Sequence, residues 1–272
     1  MDLFGEEEPT TDYATATFKT TRVVSGHSIE NPANGVLLFT ISHHFGRLNQ
    51  GAYDFFGLDQ ATIRLGLEYG INDRLSVGIG RSTYQKTFDG FLKVKLLRQS
   101  TGVRNMPLSV SLFSSSDLFS LKWQDTERSN YFSSRLSFVN QLLIARKFSE
   151  SFSVQLTPSY IHKNLVVEKG TNDNFAIGIS GRYKITKRLS INMEYFHNLP
   201  GYVADNFENP LAVGVDIETG GHVFQLHFTN AQPMFERAFI TETMGKWDNG
   251  DIYFGFNISR VFTIKKPKEF IE

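Results

Sequence analysis

The side chains able to do chemistry in this chain are histidines and charged groups, since cysteine is absent. That absence removes a thiolate nucleophile, a cysteine-ligated metal and any disulfide. The histidines are His27, His43, His44, His162, His197, His222 and His227. His43 and His44 are adjacent, and adjacent strand positions face opposite ways, so the two do not easily chelate one ion. Neither an HExxH motif nor an i, i+2 histidine pair occurs, so no metal and no other cofactor is expected. Ser42 with His43, and His197 with Asn198, are the pairs closest to the serine–histidine centre of a lipid hydrolase. Strand neighbours cannot form a nucleophile–base contact on their own. GISG at 178–181 also lacks the second spacer of a nucleophile elbow. The GxG at Gly78 and Gly80 sits inside an alternating run, where small inward-facing residues explain it better than a nucleotide loop does. No catalytic residue is predicted and the chain is not read as an enzyme.

What remains is a set of charged and amide side chains spaced two residues apart, and that spacing is the period of a strand. Over 59–71, Ala61, Ile63, Leu65, Leu67 and Tyr69 alternate with Thr62, Arg64, Gly66 and Glu68. The same pattern runs through 75–80, 174–185, 189–195, 211–218 and 252–262, and no segment shows a convincing helical period. By this register the polar face holds Arg64, Glu68, Lys93, Lys95, Arg135, Gln141, Arg182, Lys184, Glu194, Asp216, Glu218, Gln225, His227 and Asn257. A short motif recurs as INDRLSV at 71–77, FSESFSV at 148–154 and ITKRLSI at 185–191. It reads as one hairpin turn used three times, with Thr219-Gly220-Gly221 a fourth tight turn and 99–106 a looser fifth. Longer connections are expected at about 47–58, 85–88, 116–130, 163–173, 200–210 and 232–249. Short and long connections therefore alternate along about twelve strands, an even number that leaves both chain ends on the short-turn side.

Alternation alone does not say which face is outside. A soluble sandwich buries its apolar face between two sheets, whereas a membrane barrel turns it to lipid and keeps a polar lumen. Strands of nine to eleven residues suit a tilted membrane crossing. Aromatic residues sit near strand ends on the apolar face: Tyr69, Phe148, Phe152, Tyr183 and Phe262 at the short-turn end, Phe45, Phe132, Tyr160, Phe175 and Phe254 at the other. Two such bands are the girdles of a membrane barrel. The expected fold is an all-β, antiparallel, up-and-down transmembrane β-barrel. Its 272 residues are 40% hydrophobic, with no apolar run long enough for a membrane-crossing helix. The balance of 28 basic against 28 acidic residues gives no reason to expect a nucleic acid as partner.

Three segments carry a family resemblance: TFKTTRVVSGHSIENP, ISHHFGRLNQGAYDFFGLDQATIRLGLEYGINDRLSVGIGRS and KTFDGFLKVKLLRQSTG. They resemble a Bacteroidota family of outer-membrane β-barrel proteins of unknown function, over nearly the whole chain and most densely over 17–102. The resemblance implies an exported protein of the cell outer membrane whose signal peptide is removed or lies outside this sequence. It implies no activity. The expected layout is a flexible acidic arm at 1–12, a segment at 13–35 on the periplasmic side that either plugs the lumen, adds a strand or lies at the mouth, a barrel at 36–263 and a tail at 264–272. The expected role is a narrow porin-like channel for small polar solutes or ions. The alternative is a closed barrel serving as an accessory subunit of an envelope complex, and an outer-membrane lipid hydrolase is the remote third. Outer-membrane lipid and, during biogenesis, the barrel-assembly machinery are the expected partners. The apolar loop 232–249 either packs on itself, folds over the mouth or docks a partner.

Overall fold

The period-two segments become twelve hydrogen-bonded strands in a computed structural model that describes residues 10–123, 126–127, 129–166, 170–204 and 206–265. Most of the expected acidic arm and most of the expected tail lie outside the described residues. A short strand, β1 (Thr11–Tyr13), precedes the barrel. The wall begins with β2 (Val36–Arg47), β3 (Ala61–Gly70), β4 (Leu75–Ser82) and β5 (Thr87–Leu97). After a short strand β6 (Ser100–Gly102), it continues with β7 (Ser109–Phe119), β8 (Leu136–Lys147), β9 (Phe152–Lys163) and β10 (Asp173–Lys184). It ends with β11 (Leu189–Asn198), β12 (Leu211–Thr219), β13 (His222–Thr229) and β14 (Tyr253–Thr263). Each wall strand pairs antiparallel with its neighbours in the chain, and β14 pairs with β2 to close the cylinder. Closure satisfies every edge, which a sheet immersed in lipid requires. β1 and β6 form a separate two-stranded sheet at the short-turn end.

The threefold motif is one turn with one hydrogen-bond pattern. The amide of Ile71 donates to the carbonyl of Leu75, that of Phe148 to Phe152 and that of Ile185 to Leu189, each at 2.9 Å. The next side chain, Asn72, Ser149 or Thr186, accepts from the amides two and three residues on. A short polar side chain that mimics a backbone acceptor explains why the motif tolerates Asn, Ser and Thr there. On the long-loop end one expected connection is displaced by two residues. The connection expected at 85–88 lies at 83–86, between Ser82 and Thr87, closed by a 3₁₀ turn with Gln85 and Lys86 at positive φ. It is as short as the turns at the other end, so short and long connections do not alternate strictly here.

The register turns apolar side chains outward. Leu65, Leu67, Ile79, Leu92, Ile179, Met193 and Leu226 stand exposed on the outer wall, while Arg64, Glu68, Lys93 and Glu194 are buried. At the long-loop end Phe45 stacks on Phe254, with ring centres 5.7 Å apart, and Tyr160 meets Phe175 at 5.2 Å. At the other end Phe148 and Phe152 lie 5.8 Å apart, with Tyr69, Tyr183 and Phe262 on the same outer face. Phe132 is exposed in the rim turn Phe132–Arg135 and not on a strand.

Several aromatic rings on the wall strands break the pattern. Phe91, Phe113 and Phe196 point inward, Phe113 and Phe196 fully buried. Glycine makes room for two of them: a Cβ on Gly78 would overlap the Phe91 ring, and one on Gly178 the Phe196 ring. Gly78→Ala is expected to cost about 2–3 kcal/mol by overpacking. In a Phe91→Ala background, itself destabilised by the lost ring, the further cost of Gly78→Ala should largely vanish. The urea midpoint of the folded, heat-modifiable barrel reads it, and an unshifted midpoint in Gly78→Ala would show that the ring moves freely aside.

Candidate functional site in the barrel lumen

A twelve-stranded cylinder with strands about 4.8 Å apart and tilted about 40° has a backbone radius of about 12 Å. Inward side chains alone do not fill that bore, and two further pieces of chain do. Residues 14–35 enter from the short-turn end and fold into a hairpin. Its tip is fixed by the Val23 amide on the Gly26 carbonyl (2.8 Å), the Ser28 amide on Thr21 (2.9 Å) and a bridge between Arg22 and His27. From the long-loop end, the connection between β13 and β14 folds inward and carries a short helix, α1 (Glu236–Thr241), every residue of which is buried. Of the arrangements that the sequence allows for 13–35 and 232–249, the chain thus adopts a plug and a folded-in loop.

The wall holds the plug by its main chain. Glu194 accepts from the amides of Val24 (3.2 Å), Ser25 (2.7 Å) and Gly26 (3.1 Å). In the other direction Gln155 donates to the carbonyl of His27 (2.8 Å), Gln225 to Val23 (3.0 Å) and Asn257 to Val24 (2.9 Å). Arg182 donates to Ala16 (2.9 Å), and Lys93 to Glu30 and Ser28. Apolar contacts add to this, with Phe18, Val23, Val24 and Ile29 packed beside Phe113, Leu143 and Phe91. Plug and folded-in loop meet at one buried ion pair, Arg22 to Glu236 at 3.1 Å, with His27 3.6 Å from the same carboxylate. A second cluster pins the far side of α1: Arg237 donates to Asp117 (2.8 Å), Gln85 (2.9 Å) and Glu242.

These insertions divide the lumen. A chamber of about 560 Å³ opens at the long-loop end, and one of about 550 Å³ at the short-turn end. Beside the plug, the gaps at Glu194 and at Arg64 measure about 10 Å³ or less, too little for a water to occupy freely. The outer chamber is lined by Tyr84, whose hydroxyl is pushed up to about 12 by burial and by the nearby Glu242, so it stays neutral.

The polar residues read from the sequence are placed as follows. Arg64 pairs with Asp89 at 2.9 Å. Glu68 accepts from Ser76 (2.9 Å) and lies 3.4 Å from Lys93. Gln141 donates to Ser159 (2.9 Å), and Asp216 accepts from Gln225 (2.8 Å). Glu218 binds Lys19 of the plug's entry, while Lys95 and Lys184 lie half-exposed toward the short-turn mouth. His227 Nε2 lies 2.8 Å from His44 Nε2. His44 Nδ1 donates to the Gln232 carbonyl, which leaves its Nε2 as the acceptor. Gly255, on the strand between them, lets the two rings meet. Among the described residues no group of three potential metal ligands comes together. Ser42 faces the lumen while His43 stacks outside on Phe256, so the two side chains lie on opposite faces of the wall.

Arg135 is a correction. It lies in the rim turn, donates to the carbonyls of Phe119 (3.1 Å) and Leu121 (2.6 Å), and stacks 4.1 Å from the Trp123 ring. Extending the β8 alternation one residue too far placed it in the wall. Sequence reasoning missed Arg22, His27, Asp89, Asp117, Glu236 and Arg237. The signal available for the last two was a Glu-Arg pair inside an otherwise apolar loop, a costly placement unless both are partnered.

The family described as "Membrane bound beta barrel domain (DUF5777)" matches residues 18–262. No functionally curated protein shows significant similarity to the chain. Among solved structures, NanC porin aligns over 85% of this chain and 100% of its own, at 8% identity and a TM-score of 0.51. KdgM porin aligns over 85% and 99%, at 9% identity and 0.48. An outer membrane channel from Pseudomonas putida F1 aligns over 86% and 97%, at 12% identity and 0.49. At such identities the likeness concerns the fold: the barrel is porin-like in architecture.

Proposed function

We propose that this chain, which belongs to the membrane bound beta barrel domain family (DUF5777), works as a stoppered channel of the outer membrane. Short turns of such barrels face the periplasm and long loops the exterior, so the plug enters from the periplasmic side. In the resting state it closes the lumen, and its withdrawal opens a polar path for small solutes or ions. One observation carries the reading: the plug is held by wall side chains bonded to its peptide groups, contacts that water can replace when it leaves. The apolar outer wall meets lipid, and the barrel depends on assembly machinery for insertion.

A second reading, a closed barrel serving as an accessory subunit, is favoured by α1, which obstructs the lumen from the other side. Urea separates the two. The hairpin has far less buried surface than the wall, so it should undock at a lower concentration. Planar-bilayer recordings of the full chain are expected to be silent in buffer and to show reversible steps at intermediate urea, while the barrel stays heat-modifiable. Silence up to the point where the barrel unfolds would favour the accessory reading.

A further inference from the structure

We infer that the outer chamber is a binding site for a small organic anion that carries a carboxylate beside a ring with an apolar face. Its volume of about 560 Å³ suits a single such molecule. Two features give the class. The first is Lys163 of β9, which lines the chamber and is only 8% exposed. Its ammonium reaches one neutral partner, the Thr241 hydroxyl at 3.3 Å, and among the described residues it makes no ion pair. The neighbouring acids are already used: Asp117 and Glu242 both bind Arg237. Asp117 and Glu242 act on Lys163 from a distance while bonded to Arg237, so the ammonium keeps donors with no direct carboxylate contact among the described residues, and an incoming carboxylate can take them.

The second feature is a fixed aromatic surface. Trp123 and Phe119 line the same chamber and meet edge to face at 5.4 Å. The guanidinium of Arg135 stacks on Trp123, and its two bonds to the Phe119 and Leu121 carbonyls lock that stack to the rim. A held indole loses little freedom when a ring lies against it. Ammonium and rings together select a ring with one acidic substituent. Both an aromatic acid and a pyranose acid meet that description.

This inference rests on reading the chamber as the outer vestibule of the channel, but binding does not need the channel to open, so the two fail separately. The chain has two tryptophans, and a Trp247→Phe background leaves Trp123 as the one indole reporter. Its emission is titrated with benzoate and glucuronate, and with benzamide and glucose as uncharged counterparts. At least one acid is expected to give a saturable change, about tenfold tighter than its uncharged counterpart, which corresponds to one modest charge contact. Which acid responds identifies the ring type. Lys163→Gln should abolish the preference and Lys163→Met should do the same, each checked for heat-modifiable folding. The inference is overturned if neither acid saturates below about 10 mM, a weaker contact than the arithmetic allows. Equal binding of acids and uncharged counterparts overturns it as well, and this comparison needs no altered lysine. So does an unchanged preference in a folded Lys163 variant.

Discussion

A chain lacking residues 14–35 is expected to conduct ions continuously where the full chain is silent, with the mean current at least tenfold above baseline. The expectation follows from the bore. A backbone radius of about 12 Å, less about 5 Å of side chain on each wall, leaves a passage of about 7 Å radius along most of the lumen. The hairpin is what occupies it, since the gaps left beside it are about 10 Å³ or less. Deletion also strips Glu236 of Arg22, the cation it meets at 3.1 Å. The deletion thus removes the tie between α1 and the plug and lets water reach the Glu236 carboxylate, so α1 should be free to swing toward solvent and clear the outer end. The measurement is single-channel recording on a refolded barrel whose folding is verified by heat modifiability. A folded, silent deletion chain would show that α1 closes the lumen unaided. Arg22→Met in the full chain is the companion variant: it removes the ion pair while keeping the plug's bulk, and should give brief openings in place of steady current.

The largest effect from a single substitution is expected at Glu194. Its carboxylate takes three consecutive amides, those of Val24, Ser25 and Gly26, and is itself buried. Bonds to an ionised acceptor are worth about 1.5–3 kcal/mol each, and a buried donor left unsatisfied costs about 1–3 kcal/mol. These amides share one acceptor, so the contributions do not add fully; a loss of about 4 kcal/mol of plug docking for Glu194→Ala is a fair expectation. That is about a thousandfold in the ratio of docked to undocked plug. Glu194→Gln keeps an acceptor oxygen and should fall between. Limited proteolysis from the short-turn side reads the undocked fraction through tryptic cleavage after Arg22, which is buried while the hairpin is docked. Equal cleavage of parent and Glu194→Ala, with the barrel folded, would mean that the apolar side chains Phe18, Val23 and Ile29 hold the plug unaided.

The wall was legible in the sequence because a strand writes its burial every second residue. Arg64 and Glu68 against Leu65 and Leu67 state both the period and the facing, and the threefold turn motif states the connectivity. The plug was legible only as a question. Its segment FKTTRVVSGH alternates weakly because it is surrounded on all sides, so it has no apolar face to mark. Its partners Glu194, Gln225 and Asn257 lie more than 160 residues away, and no local pattern reports them. The inward rings of Phe91 and Phe113 were masked for a related reason. They break alternation on β5 and β7, where the lumen is filled by protein and a polar face is no longer required. Arg135 shows the opposite error, a correct parity carried past the end of its strand.

The wall's grip on main-chain atoms has an evolutionary corollary. Gln155, Gln225, Asn257, Arg182, Lys93 and Glu194 all address peptide groups of the hairpin, and no side-chain identity enters those contacts. A receptor of that kind recognises a shape and is indifferent to much of the spelling. Side chains of the hairpin are constrained instead by their own contacts, Arg22 by Glu236 and Phe18, Val23, Val24 and Ile29 by the packed core. A synthetic hairpin supplied separately, altered elsewhere but keeping Arg22 and the packed Phe18, Val23, Val24 and Ile29, should reseal the deletion barrel. Conservation in relatives would then concentrate on the donors and the acceptor of the wall and on the few hairpin side chains that make contacts of their own, Arg22 among them.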